Sequence, residues 1–246
     1  MNPATAIGEP GARRVSPFLF LLAIIGFFLV FTGVSCNTDA TKSALHALGG
    51  SAGITSSQSA ALDSCLDSLN GVNFVTYDGW ALVFGKDPTV GSLPASCAVN
   101  TGPVTRADAA QANVGPQLLA ILGLVCAGLA MLTGLIALLG FVRGRSRAMV
   151  AVIFGTGSGV LLVLNELHVH DIVLSKIAAS AGSSVPGFSP SAYFNVNPGI
   201  GLLVVLVILA VAVLYNLIAL IVGPGPVAVA PALPEPQPPP PPPPSP

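Results

Sequence analysis

Few residues in this chain carry chemistry, and they fall in three places. Cys36, Cys65 and Cys97 lie in one polar stretch between apolar runs, where disulfides persist if the stretch is outside the cell. Three cysteines allow one pair, from three choices. We expect Cys65–Cys97, because that pair closes the loop around residues 72–84 and staples a region too small for a large core. Another pairing, or none, stays open. Cys126 sits inside an apolar run and reads as a small packing residue. The chain has no Cys-x-x-Cys pair, which the four-helix thiol oxidoreductases of the disulfide-forming kind need.

The second place is Glu166, His168, His170 and Asp171, at the end of another apolar run. On a strand the two histidines would share a face; on a helix Glu166 and His170 would. Such a set can hold a metal or sense protons, with His168 and His170 as ligands. Short clusters of this kind at a helix end are more often the wet rim of a membrane span. His46 stands alone. The third place, Gly155-Thr156-Gly157-Ser158-Gly159, looks like a phosphate loop. Val160 occupies the position of the third glycine, however, and the surroundings are apolar. Gly155 and Gly159 instead have the spacing of a small-residue helix contact. Gly123 with Ala127, and Ala130 with Gly134, offer matching surfaces, so the second and third apolar helices are expected to meet there. No nucleophile–base set, zincin motif or P-loop appears. The expectation is a protein that is not an enzyme and has no cofactor.

What must position these residues is a membrane. Hydrophobic residues make up 52% of the chain and charged ones 8%, against about 25% charged in soluble domains. The net charge of −1 leaves no nucleic-acid footprint. Residues 118–142 carry no charge and would span about 37 Å as a helix, more than the hydrocarbon core of about 30 Å. A second run begins at Ala148, after Arg143, Arg145 and Arg147. Basic residues between spans are retained on the cytoplasmic side, so this turn faces the cytoplasm.

The remaining layout follows from that hairpin of helices. The fold class expected is an all-α membrane protein with four transmembrane helices, a small extracytoplasmic loop domain containing a β-hairpin, and a disordered proline-rich tail. Residues 1–16 are a cytoplasmic N-terminus ending near Arg13-Arg14, and 17–35 the first span. A cleaved signal peptide, or a lipidated Cys36, is the weaker reading: the apolar run is long for the first, and Gly33 departs from the usual leucine for the second. Residues 36–116 are extracytoplasmic, 117–142 the second span, 143–147 the turn and 148–165 the third span. Residues 166–198 form another outer loop, 199–222 the fourth span and 223–246 a cytoplasmic tail. The prolines from Pro238 to Pro244 favour polyproline II, either as a disordered tail or as a ligand for an aromatic groove.

Inside the outer domain, residues 72–77 and 80–84 are β-prone and flank Asp78-Gly79, a pair that favours a tight hairpin. In that register Tyr77 faces Trp80 and Val75 faces Leu82. Tyr77 and Trp80 are the candidate interface residues, facing a membrane surface or a partner. Residues 41–69 read as broken helix and 92–115 as irregular chain.

Several patches together carry a resemblance: Val34-Ser35-Cys36, the segment Tyr77-Asp78-Gly79-Trp80-Ala81-Leu82-Val83-Phe84-Gly85, and Asn195-Val196-Asn197-Pro198-Gly199-Ile200-Gly201. The arrangement resembles uncharacterised four-helix integral membrane proteins of actinobacteria and related bacteria. The resemblance implies a bacterial plasma-membrane protein with no assigned activity and no functional residues to transfer. The function expected is a non-enzymatic accessory or scaffold component of a bacterial envelope complex. Its partners would be the lipid bilayer and other membrane or envelope proteins, without nucleic acid. A small transporter or channel subunit is the alternative, with Thr133, Thr156 and Ser158 as pore-lining candidates. Ion-coupled transport usually needs a charge at mid-span, and none is present. An envelope redox or pH sensor is the third reading.

Overall fold

The first apolar run does not stay helical. In the computed structural model, which describes residues 12–52, 55–92, 94, 97, 106–139, 144–181 and 189–222, helix α1 (Ala12–Ile25) passes through a 3-10 turn (Gly26–Phe28) into strand β1 (Val30–Cys36). After it come α2 (Thr38–Ala52), α3 (Ser56–Leu69), β2 (Asn73–Asp78), α4 (Gly79–Phe84) and β3 (Thr89–Val90). The chain continues through α5 (Arg106–Ala112), α6 (Leu118–Leu138) and α7 (Gly144–Ala181). It closes with α8 (Pro190–Tyr193), β4 (Phe194–Pro198) and α9 (Ile200–Val222). The tail 223–246, residues 1–11 and Arg143 lie outside the described residues, and with them the expectations placed there.

Three helices are long and apolar enough to cross a membrane: Leu118–Leu138, Arg145–Ser180 and Ile200–Val222. Leu118–Leu138, residues 148–165 and Ile200–Val222 carry no charge, which suits a lipid solvent and not a soluble surface. The run expected as the span 17–35 supplies only 14 residues of α-helix before the 3-10 turn, so the expectation of one continuous span there is corrected. The reason lies in its second half. Val30, Phe31, Thr32 and Val34 are β-branched or aromatic and favour a pleated strand. Once extended, β1 gains two hydrogen-bonded neighbours. Val34 pairs with Val75 on β2 and with Val196 on β4, and Thr32 with Tyr77 and Pro198. The antiparallel sheet runs β3-β2-β1-β4, with Phe31 to Ser35 of its central strand all buried.

The expected hairpin at Asp78-Gly79 is also corrected. Asp78 ends β2 and caps α4, its Oδ1 accepting from Ala81 N at 2.6 Å. Residues 80–84 are therefore helical, and α4 stops at Gly85, whose φ of +65° is the left-handed conformation that suits glycine. Tyr77 lies across from Thr32, not Trp80, and Val75 pairs with Val34 and Val90, not Leu82. An isolated two-stranded hairpin is marginal. Pairing β2 with the apolar β1 buries more surface, and it wins although the partner is some 40 residues earlier in the chain.

The helix of the third span does not end at residue 165. Helix α7 runs for 38 residues, about 57 Å, so its last four turns rise beyond a bilayer core. Val169 and Val173 are buried and Ile177 packs against the core, a one-turn spacing that gives this extension an apolar side. That side leans on the sheet: Val173 and Ile177 line a small cavity with Val34, Phe74, Val75 and Tyr77. The expected loop 166–198 thus begins as helix. One apolar cluster consequently runs from Phe20 and Leu209, between the spans, through Phe27 and Phe31 to Val34 and Tyr77 in the sheet.

Candidate functional site

The residues singled out for chemistry are dispersed: Gly155–Gly159 and Cys126 lie on the long helices, Glu166 at the seam with the sheet, and Cys65 and Cys97 beyond it. Glu166, half-buried on α7, accepts a hydrogen bond from the Thr32 hydroxyl of β1 at 2.6 Å. Thr32 is fully buried. Neighbouring Asn165 is 1% exposed, and its Oδ1 has no hydrogen-bond partner among the described residues. Because residues 166–171 are helical, Glu166 and His170 share a side of α7, whereas His168 is exposed elsewhere on it. His170 Nδ1 lies 3.5 Å from Asp171 Oδ1 at the surface. Among the described residues no three His, Cys, Asp or Glu side chains are grouped to hold a metal. The Thr32–Glu166 bond does structural work, locking the central strand to the long helix. Spacing alone could not reveal it, since its ends are 134 residues apart.

The α2–α3 module connects β1 to β2. Cys65 and Cys97 form a disulfide, S–S 2.00 Å, which fastens α3 to the chain after β3. Cys36 and Cys126 are free thiols. Thr55 and Gln58 make a reciprocal capping box at the start of α3. Lys42 on α2 donates to Asp67 on α3 at 2.5 Å, and this hydrogen bond to the carboxylate pushes the lysine's pKa up. His46, which seemed solitary, faces Asp63 at 3.4 Å across the same helix pair.

Tyr77 is buried at the seam and donates from its hydroxyl to Ala112 O at 2.6 Å, with burial pushing its pKa up to about 12. It is a core residue, not a contact surface. Trp80 stands on α4 with its ring stacked on Phe84 (5.2 Å between centroids) and tilted against Phe28 (5.1 Å). It also meets Phe27 edge-on at 6.4 Å. Trp80 is half-buried, whereas Phe28 and Phe84 are exposed.

The glycines divide the packing differently from what spacing suggests. Gly123 of α6 accepts from the Ser158 hydroxyl of α7 through its carbonyl at 2.8 Å, and a Cβ there would stand 3.1 Å from Leu162. The second and third long helices do meet here, but through Ser158 and Leu162. Gly155 and Gly159 face away from α6. A Cβ on Gly155 would stand 2.8 Å from Val213 of α9 and 3.1 Å from the Phe20 ring of α1, and Gly159 borders Leu206. The reason is helical geometry: Ser158 lies about 300° around the axis from Gly155, so it turns toward a different neighbour. Gly134 receives Pro17 of α1.

A polar pair missing from the sequence reading lies deep in the bundle. Asn216 of α9 donates to Ser16 of α1 at 2.9 Å and to Ala212 O at 2.7 Å, and Ser16 returns a bond to Asn216 Oδ1 at 3.1 Å. The available signal was an asparagine inside an otherwise apolar span, where an unpaired amide is costly. Compared with known proteins, the chain matches no family model, no curated protein and no solved structure.

Proposed function

We propose that the chain is a non-enzymatic accessory or scaffold protein of the bacterial plasma membrane. It would hold the disulfide-stapled α2–α3 pair outside the cell for an envelope partner. One observation carries this reading: the core that packs the membrane helices continues without a break into the sheet. The sheet from which the α2–α3 pair extends therefore has a set height and tilt, which suits the base of a docking platform better than a tethered domain. Helix α1 with its 3-10 turn, about 27 Å of helical chain, supplies the fourth and shortest span, packed on α6 and α9. Both termini are then cytoplasmic, with the Arg145 end of α7 inside and the sheet outside.

Two experiments test it. Impermeant thiol labelling of intact cells should modify a cysteine placed at Ser57 and leave one at Ser146 unmodified; the reverse pattern inverts the topology. Photo-crosslinkers at Ser57, Ala61 and Ser64, exposed at helical spacing on α3, should capture the same envelope protein that co-purifies in mild detergent. A protein that crosslinks to nothing from α3, yet turns over a substrate when purified alone, is not a scaffold.

A further inference from the structure

We propose that α4 and the aromatic residues around it form a shallow lipid-docking surface. It would be seated in the headgroup layer of the outer leaflet and set the depth of the sheet. The argument starts from which apolar side chains are left uncovered. Phe28 is 70% exposed, Phe84 59%, Leu118 67% and Ile200 67%. They come from four separate elements, the 3-10 turn, α4, α6 and α9, so no local sequence effect groups them.

Backbone contacts place these elements at one level. Gly79 N donates to Leu29 O at 3.4 Å, joining α4 to the end of the 3-10 turn. Gln117 N donates to Leu82 O at 2.7 Å, joining α4 to the start of α6. A Cβ on Gly201 would lie 2.5 Å from Leu29 Cβ, joining the same turn to the start of α9. Helix α4 therefore lies beside the start of α6, and the turn it is bonded to lies beside the start of α9, so its exposed ring stands level with the ends of two long helices. Its buried residues Ala81, Leu82 and Val83 face the protein, while Phe84 looks out.

The chemistry just beyond the helix marks the boundary. Lys86 and Asp87 are exposed directly after Gly85, so apolar rings give way to charge within one turn. That sequence of rings then charges is what the headgroup layer accommodates, with aromatic bodies at the acyl boundary and ions in water. A protein partner would not need the patch to continue the span ends. Trp80 lies between Phe28 and Phe84, tilted against the first ring and stacked on the second.

The chain contains one tryptophan, so its fluorescence reports this site alone. The full-length protein would be reconstituted in phosphatidylcholine vesicles carrying a nitroxide on the headgroup, or bromines high or low in the acyl chain. The expected result is quenching about twofold stronger from the headgroup nitroxide and high bromines than from the low ones, and weak quenching by aqueous acrylamide. Phe28→Ser combined with Phe84→Ser should remove that depth preference while the Cys65–Cys97 disulfide persists. Strongest quenching by the low bromines would place Trp80 too deep and overturn the proposal. So would quenching by acrylamide alone. Lipid quenching that appears only on dilution of protein into excess lipid would show that a second copy covers the patch, which also overturns it. The inference rests on the long helices lying in a bilayer and not on the display role, so crosslinking from α3 and quenching at Trp80 fail independently.

Discussion

Tyr77 shows how one side chain can serve two surfaces. Its ring fills the junction of sheet and long helix, and its hydroxyl satisfies the carbonyl of Ala112 at the end of α5. Burial raises its pKa from 10.0 to about 12 in the folded state. A raised folded pKa means that the stabilisation is fully present below pH 10.0 and is lost as pH rises through about 12. Ultraviolet titration of tyrosinate should show a step near pH 12 that is absent in Tyr77→Phe, and unfolding should accompany it. At neutral pH the same substitution should cost about 1 kcal/mol, the loss of one hydrogen bond with Ala112 O left uncovered. The Ser16–Asn216 pair makes a parallel case inside the bundle. Ser16→Ala removes the donor to Oδ1 of the fully buried Asn216 and leaves that amide only its bond to Ala212 O. It should lower stability by about 1 kcal/mol in a reversible unfolding titration in bicelles. A substitution without effect would mean that the amide finds another acceptor on α1 or α9.

At the scale of elements, the junctions decide more than the helices do. Helix α4 exists because Asp78 caps it and because Gly79 admits the Phe27 backbone, where a Cβ would stand 2.9 Å from its carbonyl oxygen. Asp78→Ala should cost about 1 kcal/mol and loosen Trp80, read as a red shift of its emission. Gly155 is the tighter site. Gly155→Leu would drive a side chain into Val213 and the Phe20 ring, and should destabilise the bundle by at least about 1–3 kcal/mol in the same titration. Gly157→Ala, where nothing stands within 4 Å, should be tolerated. The contrast between these neighbours on one helix tests the packing assignment directly. The spacing of Gly155 and Gly159 marked a contact surface, but not its partner: three other helices were available, and only assembly chose α9 and α1.

For the whole molecule, the disulfide and the continuous core divide the labour. Cys65–Cys97 closes a loop with a sequence separation of 32, and on a chain-entropy estimate removing it costs about 3–4 kcal/mol. That loss should be local. Reduction should raise hydrogen exchange in α2 and α3, held otherwise by surface pairs such as Lys42–Asp67, and leave β1 and the long helices protected. Exchange rising throughout the sheet would show that the outer module and the membrane core fold as one unit. Composition and periodicity alone determined that three long stretches are membrane-like helices, because lipid demands an uncharged surface on every side of a helix and that demand is written residue by residue. They equally marked the region of Cys65 and Cys97 as a small stapled domain. They did not determine where the first run leaves the helix, how far the third continues, or what pairs with Asn73–Asp78. Those choices are long-range: β1 is a strand because β2 and β4 lie on either side of it, and α7 continues past residue 165 because Val173 and Ile177 find the sheet. A window of sequence carries propensity, but the partner that rewards it lies elsewhere in the chain, and only the tertiary structure brings the two together.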